Sequence, residues 1–312
     1  MKKKALEFNF AWLFAILVGA VIIFLAIYIS AKIVDTGTSQ TSTITAKQLS
    51  ILFKPLEVGL ASGKSSIITL KEISRINNKC LTTGSFGKHL VSISNKKSKK
   101  EWSKGVDISV PNKYIFSSSI EEGKKVYFFS KPFKTPWKVS DIIFMTTKQY
   151  CFVNPPDFVR KEVQELQIQN INLNSTCTSG IRVCFPSGTN CSIKVYGTCS
   201  NCENKFEEGY VEKANEKLYY SNELIYAAIF SDKDIYECNI KRLMKRAIKQ
   251  ALIFKEEGDF LGEKCNINPV LFIRFITLAS SINNSASFLS INIKQTITEL
   301  EEQNDASECK FW

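Results

Sequence analysis

The chain opens with its longest apolar segment. Residues 10–29 are twenty consecutive positions without a charge or a strongly polar group. At about 1.5 Å per residue, a helix of this length spans roughly the 30 Å hydrocarbon thickness of a bilayer. A cleavable export leader has a shorter apolar core, about 7–15 residues, closed by a small-x-small site. The best match to such a site is IYISA, ending at Ala31. The length favours a retained transmembrane helix, with a cleaved leader as the alternative.

The charges that flank this segment predict its orientation. Lys2, Lys3 and Lys4 precede it, whereas Lys32 is the only charge between the segment and Asp35. Cytoplasmic flanks carry the excess of lysine and arginine. We therefore predict a single-pass protein of the cell membrane, with its N-terminus in the cytoplasm and its C-terminal domain extracytoplasmic.

Beyond this segment, most of the apolar residues up to residue 153 occur in short runs that are typical of strands. Residues 35–43 form a polar spacer, and residues 45–61 have the period of an amphipathic stalk or capping helix, interrupted by Pro55. From residue 65 to residue 153, short β-branched and aromatic runs alternate with Gly, Pro, Asn and Lys clusters, as in strands separated by turns. The predicted strands are SSIITL, HLVSIS, VDISV, KKVYFFS and DIIFMTTKQYCFV.

The second half of the chain predicts helices after a cysteine-rich region. A helix is expected over residues 155–166, where proline stands at the start of a periodic apolar set. IRVCF and CSIKVYG are strand candidates within the cysteine-rich region. The apolar positions then recur at the helical period over residues 234–258, 268–282 and 286–303. VLFIRFITLA, within the second of these helices, is too short for another membrane span and contains Arg274, so we assign it to the core.

Together these elements predict an α+β fold: an N-terminal transmembrane helix, a strand-rich ectodomain with a disulfide-rich lobe, and C-terminal helices. The predicted division is a cytoplasmic tip and anchor at 1–34, a stalk or capping helix at 35–64, a strand-rich domain at 65–169, a cysteine-rich lobe at 170–220 and a helical region at 221–312.

The cysteines point to an oxidising compartment. The chain has ten, all of them beyond the apolar segment. Exported cysteines tend to pair, and a polar segment with little core material needs such crosslinks. Five disulfide candidates lie within residues 177–202: Cys177, Cys184, Cys191, Cys199 and Cys202. Because five is odd, at least one of them is expected to have a partner outside the group.

Two alternatives concern CSNC, the motif from Cys199 to Cys202. Its spacing allows two thiolates to hold one tetrahedral zinc, but a zinc ribbon needs a second such pair, which the sequence lacks. The same spacing occurs in redox-active motifs, which normally stand between a strand and a helix. We therefore predict a structural disulfide and no metal.

Net charge adds a preference for anionic partners. The chain carries a formal charge of +11, and the part beyond residue 35 holds 37 basic and 28 acidic residues. Such a surface associates with lipid headgroups, cell-wall glycans or other anionic material. Lysine supplies 35 of the 41 basic residues, and lysine lacks the planar fork that reads bases bidentately. General electrostatic attraction is therefore favoured over specific nucleic-acid recognition.

The helix predicted over residues 234–258 carries the candidate binding residues. At about 100° per residue its apolar side chains share one face, and basic side chains cover the other. The candidate binding residues are Lys241, Arg242, Lys245, Arg246 and Lys249. This face is either an ordinary solvated surface or a docking surface for anionic lipid or an acidic partner. The loop NKKSKKEWSK, residues 95–104, has the same two interpretations.

No catalytic motif stands out. A hydrolase nucleophile usually needs a histidine base, and His89 is the only histidine in the chain. Its neighbours Gly84, Ser85 and Gly87 form neither a nucleophile elbow nor a phosphate-binding loop. The paired glutamates occur in polar segments where solvation explains them. We therefore predict no catalytic residue and no cofactor.

The N-terminus also carries a family resemblance. A basic run, then Ala5, then the apolar stretch FNFAWLFAILVGAVIIFLAIY resembles archaeal type IV pilin-like proteins and uncharacterised archaeal single-pass membrane proteins. The resemblance covers about a tenth of the chain and implies cleavage after Ala5. Such a cut would put Phe10 at the fifth position of the processed chain, where bacterial pilins carry glutamate.

These observations predict a non-catalytic, membrane-anchored extracytoplasmic protein of interaction or surface assembly, as a pilin-like or envelope component. Its expected partners are the lipid bilayer and anionic cell-surface material or other envelope proteins. The alternative is an exported, membrane-tethered enzyme with an active site of unfamiliar pattern.

Overall fold

The fold is given by a computed structural model, which describes residues 12–30, 65–96, 101–103, 105–173, 177, 179–186, 188–200, 202–261, 265 and 268–312. Several parts of the predictions lie outside these residues: the lysines that flank the apolar segment, the processing site after Ala5, the spacer at 35–43, the helix at 45–61, and residues 97–100 and 104 of the basic loop.

The apolar N-terminal segment forms helix α1, Trp12–Ser30. Its mean hydropathy is 2.8, and none of its most apolar stretch is buried against the rest of the protein. Among the described helices, α1 alone is long and apolar enough to cross a membrane. The prediction of an N-terminal apolar helix is confirmed.

Twelve strands lie in the described part of the chain. They are β1 Ser65–Leu81, β2 Lys88–Asn95, β3 Ile108–Pro111, β4 Tyr114–Phe116, β5 Ile120–Lys134, β6 Lys138–Thr146, β7 Tyr150–Val153, β8 Ile171–Asn172, β9 Ile181–Cys184, β10 Ile193–Gly197, β11 Glu208–Lys213 and β12 Glu216–Ser221. They form two six-stranded sheets, in the orders β3-β2-β1-β5-β6-β4 and β12-β11-β10-β9-β7-β8.

The first sheet curls so that its two edge strands approach each other. β3 and β4 stand at opposite ends of the strand order, yet only Asn112 and Lys113 separate them in the chain. Asn112 has a φ of 56°, a left-handed conformation that asparagine tolerates. Successive residues of β6 alternate between two cores: Ile143 lies in a small core of the first sheet, and Phe144 lies in the main core.

The second sheet is mixed. β8, β7, β9 and β10 run parallel to one another, and β11 and β12 add an antiparallel hairpin at one edge. This sheet takes β7 from the predicted strand-rich domain and β8–β12 from the predicted cysteine-rich lobe. The sheet therefore combines strands from both sides of the predicted boundary between residues 169 and 170.

Six further helices are described: α2 Asp157–Glu165, α3 Leu224–Phe230, α4 Lys233–Leu261, α5 Pro269–Ser280, α6 Ser285–Phe288 and α7 Ile291–Ala306. α2, α4 and α5 form where the sequence predicts them. The predicted helix at 286–303 is instead two helices, because the chain leaves helical geometry between Phe288 and Ile291.

The main core surrounds α3, whose sequence LIYAAIF is apolar on all sides. All seven of its residues are buried, as expected for a helix without a polar face. α3 contacts β6 of the first sheet and β11 and β12 of the second. Tyr226 and Phe230 meet the rings of Phe129 and Phe144 edge-on, with centroids 5.6–6.4 Å apart. The strand-rich body and C-terminal helices of the predicted α+β fold are confirmed.

Candidate functional site

The candidate binding residues of α4 do not share one environment. Lys245 and Lys249 are exposed, and Lys241 and Arg246 are partly buried. Arg242 has no exposed surface at all. The structure therefore retains a lysine surface on α4, but Arg242 does not belong to the solvent-facing set that the helical period predicts.

Arg242 is enclosed because the loop between β1 and β2 covers this side of α4. Its Nε donates to the carbonyl oxygen of Phe86 at 3.0 Å, and its Nη1 donates to Asn239 Oδ1 at 2.9 Å. The guanidinium lies 4.7 Å from the centre of the Tyr114 ring. Burial lowers the pKa of Arg242 to about 10, which keeps it charged at neutral pH. No carboxylate in the described residues forms an ion pair with it.

Gly87 permits this close approach of loop and helix. Its φ is +61°, which L side chains rarely adopt, and a Cβ there would lie 2.8 Å from Arg242 Nε and overlap the carbonyl oxygen of Leu81. Two further basic side chains of α4 contact the same loop. Lys245 Nζ donates to the carbonyl oxygen of Thr82, and Arg246 lies 5.9 Å from the centre of the Phe86 ring.

His89 is the centre of the polar cluster beneath this loop. It is fully buried, with Nδ1 2.7 Å from Asn78 Oδ1 and Nε2 2.9 Å from Asn239 Oδ1. The Asn239 side-chain amide donates to the carbonyl oxygen of Ile115, which ties α4 to β4. Burial, and to a smaller extent the charge of Arg242, lowers the pKa of His89 to about 3. A neutral, enclosed imidazole is a structural element of the sheet–helix contact.

This pKa predicts an acid-sensitive fold. In the unfolded chain the histidine takes up a proton below a pKa of about 6.5, whereas the folded protein resists protonation down to about 3. Stability should therefore fall as the pH falls from about 6.5 to 3, by about 1.4 kcal/mol per pH unit from this group alone. Urea unfolding at several pH values, compared between the parent and His89→Gln, measures the difference. Equal slopes in the two proteins would contradict a neutral buried His89.

The cysteine prediction is confirmed. Cys184 pairs with Cys191, Cys199 pairs with Cys202, and Cys177 pairs with Cys151 of β7, the expected partner outside the group. Two further disulfides close longer loops, Cys80–Cys238 and Cys265–Cys309. In this oxidised state CSNC has no thiolate to offer a metal, and it lies in the loop that follows β10. Within the described residues no group of three metal-ligating side chains occurs.

The structure contains a polar cavity that the sequence did not predict. A cavity of about 490 Å³ opens between β5, α2, the short 3-10 turn Lys205–Glu207 and the start of α3. We call it the acidic cavity, after four glutamates in its lining: Glu162, Glu203, Glu207 and Glu223. Its volume lies in the range of small-ligand sites.

On one side of the acidic cavity, the carboxylate of Glu162 is already paired with neighbouring side chains. The Tyr226 hydroxyl donates to Glu162 Oε2 at 2.6 Å, and Lys131 forms an ion pair with Glu162 Oε1. Lys131 Nζ also lies 5.4 Å from the centre of the Tyr226 ring. These contacts join β5, α2 and α3, so this wall of the cavity is set by the packing of three elements.

The other side lacks such compensation. Glu207 accepts from the backbone N–H of Asn204 at 3.0 Å, which caps the 3-10 turn. Glu203, Glu207 and Glu223 make no ion pair with any residue that the structure describes. Burial raises the pKa of Glu223, and the neighbouring Glu162 charge adds to the effect, while Lys131 and Lys134 oppose it.

No pattern in the sequence marks this cavity, because its glutamates come from α2, from the loop after Cys202 and from the start of α3. No protein-family model, curated protein or solved structure matches the chain. The functional conclusion therefore rests on the residues of this chain.

Proposed function

We propose that this chain is a single-pass membrane protein whose disulfide-bonded domain lies outside the cytoplasm and acts by non-catalytic binding or surface assembly, as an envelope component. The observation that carries the proposal is α1, which is apolar throughout and leaves its side chains uncovered by the rest of the protein. Such a surface is stable in lipid and costly in water. The lysines that precede α1 support an orientation with the C-terminal domain outside.

The disulfides support a location of the domain outside the cytoplasm. All ten cysteines are paired, and none of them lies in α1. Disulfides persist in oxidising surroundings and are rare in the cytosol. A disulfide-bonded domain is therefore expected on the outer side of the membrane.

The binding surface proposed for this domain is the lysine surface of α4, defined as Lys241, Lys245 and Lys249. Two of these side chains are exposed and the third is partly exposed. They lie on a single helix, α4, which contacts β1, β4 and β6 of the first sheet. This surface favours anionic partners, namely lipid headgroups, anionic cell-surface material or acidic envelope proteins. His89 supports a non-catalytic role because it is fully buried, with Nδ1 facing Asn78 Oδ1 and Nε2 accepting from the backbone N–H of Ile115 at 3.2 Å.

The proposed binding should depend on salt and on these three lysines. Replacing Lys241, Lys245 and Lys249 together by glutamine should weaken association with anionic vesicles by about a hundredfold at low salt, since each lysine near such a surface contributes about 1 kcal/mol. Raising the salt should shrink the difference, because screening acts over about 8 Å at physiological ionic strength. Co-sedimentation of the full chain, reconstituted in neutral nanodiscs, with anionic vesicles measures the effect.

A matched control is available on the first sheet. Lys71, Lys124 and Lys125 are exposed residues of β1 and β5, and their joint change to glutamine removes the same charge elsewhere. Equal weakening by the two triple variants would show that only net charge matters, and it would reject α4 as the binding surface. Unchanged binding by the α4 variant would reject it as well.

A further inference from the structure

We infer that the acidic cavity binds an alkylammonium group carried on a short apolar stem, as in a free amine or a lysine side chain. The site uses none of the α4 lysines, and it selects ligands of the opposite charge. The inference therefore goes beyond the proposed membrane function and does not depend on it.

The local charge is the first argument. Four glutamates and Lys131 line the acidic cavity. The chain beyond residue 35, by contrast, holds 37 basic and 28 acidic residues. A concentration of carboxylates inside a basic protein repels anionic partners from this cavity and favours a cation within it.

The second argument is that the protein already places an ammonium group here. Lys131 Nζ contacts the carboxylate of Glu162 and lies 5.4 Å from the centre of the Tyr226 ring. A cation near both a carboxylate and an aromatic face gains from both, and more so when it is partly withdrawn from water. Three other glutamates of the lining, Glu203, Glu207 and Glu223, form no ion pair with a described residue, so they remain as acceptors for a second ammonium group.

Glu223 supplies the third argument. It lines the cavity without an ion pair to any described residue. Burial is the largest influence on its pKa and raises it, and a backbone hydrogen bond and the charge of Lys131 oppose this shift only in part. A ligand cation placed beside Glu223 would relieve this unfavourable environment, since an opposite charge favours the ionised carboxylate.

The apolar part of the lining accounts for the stem. Phe158, Phe206 and Ile225 contribute carbon surface to the same cavity as the carboxylates. Phe206 is buried, which fixes one wall against the second sheet. An alkyl chain of a few carbons would lie against these side chains while its ammonium group meets the glutamates.

Ligand-observed NMR on the full chain in a neutral detergent tests the inference with matched probes. The cationic probes are n-butylammonium, for a free amine, and a blocked Gly-Lys-Gly peptide, for a lysine side chain. The neutral and anionic controls are 1-butanol and butyrate. At least one cationic probe should bind at least about tenfold more tightly than either control, and the tighter cation identifies the source. Absence of binding by both cations, or equal binding of 1-butanol, would overturn the inference.

Variants locate the site. Glu223→Gln should weaken binding of the cationic probe by about tenfold, while Glu257→Gln, the same change at an exposed position of α4, should leave it unchanged. Glu203→Gln is a second variant, on the exposed rim, and should also weaken binding. Full affinity in both cavity variants would overturn the inference. The triple glutamine variant at Lys241, Lys245 and Lys249 should bind the cationic probe with unchanged affinity. The two experiments therefore distinguish a failure of the membrane-binding proposal from a failure of the cavity proposal.

Discussion

Replacing Arg242 by alanine should lower the free energy of unfolding by about 3 kcal/mol. The change empties the volume of a fully buried side chain and removes the donors to Phe86 and Asn239. A buried void and unpaired buried acceptors each have a cost of this order. Urea unfolding followed by the fluorescence of buried Trp137 measures the loss.

Two comparisons make the Arg242 result specific. Lys249→Ala, on the exposed side of the same helix, should change stability by less than about 0.5 kcal/mol. Arg242→Met keeps much of the volume and removes the buried charge, so its loss should be smaller than that of Arg242→Ala. If Arg242→Ala were as mild as Lys249→Ala, Arg242 would be a surface residue after all and the packing of the β1–β2 loop on α4 would be wrong.

Removing the Cys80–Cys238 disulfide should have the largest effect of any crosslink change. It joins β1 to α4 across 158 residues of sequence. In the chain-entropy account, opening a loop of this length destabilises the folded state by about 5 kcal/mol. The double variant Cys80→Ala with Cys238→Ala should therefore unfold at much lower urea concentration than the parent.

The Cys199–Cys202 disulfide provides the control. It spans only 3 residues of sequence, so the same account predicts a loss of about 1.6 kcal/mol for the double alanine variant. A larger loss at Cys199 and Cys202 than at Cys80 and Cys238 would contradict the role of the long crosslink in holding β1 against α4.

The long periodic elements could be predicted because their own residues determine them. The apolar side chains of α4 recur at the helical period, and Tyr236, Ile240 and Leu243 are buried as that period requires. The burial of Arg242 could not be predicted, because it depends on the loop between β1 and β2, which arrives from about 155 residues earlier in the chain. Periodicity shows which positions share a face, but it does not show what covers that face.

Short apolar segments were less informative. DIIFMTTKQYCFV was predicted as one strand, but the chain leaves the first sheet after Thr146 and enters the second at Tyr150. The β11–β12 hairpin was not predicted, and α3 lies within the predicted helical region at 221–312 but was not predicted as a separate helix. LIYAAIF has no polar face, so its sequence carries no period from which a helix can be recognised.

Pairing and cavities depend on contacts between distant segments. The odd number of cysteines within residues 177–202 predicted an outside partner, but only the adjacency of β7 and β9 places Cys151 within reach of Cys177. The acidic cavity combines side chains from residues 131 to 226. In the sequence these glutamates resemble ordinary solvent-exposed residues. Only the folded structure shows that they line one cavity.

Residue-by-residue labelling of lysines in intact cells tests the central claim most directly. A membrane-impermeant amine-reactive ester is added to cells that make the full chain, before and after permeabilisation, and labelled peptides are identified by mass spectrometry. Exposed lysines of the domain, Lys71, Lys124 and Lys125, should label in intact cells to the same extent as in permeabilised cells. The lysines before α1, Lys2, Lys3 and Lys4, should label only after permeabilisation. Protection of Lys71, Lys124 and Lys125 in intact cells would place the domain in the cytoplasm and contradict a membrane-anchored protein that binds its partners outside.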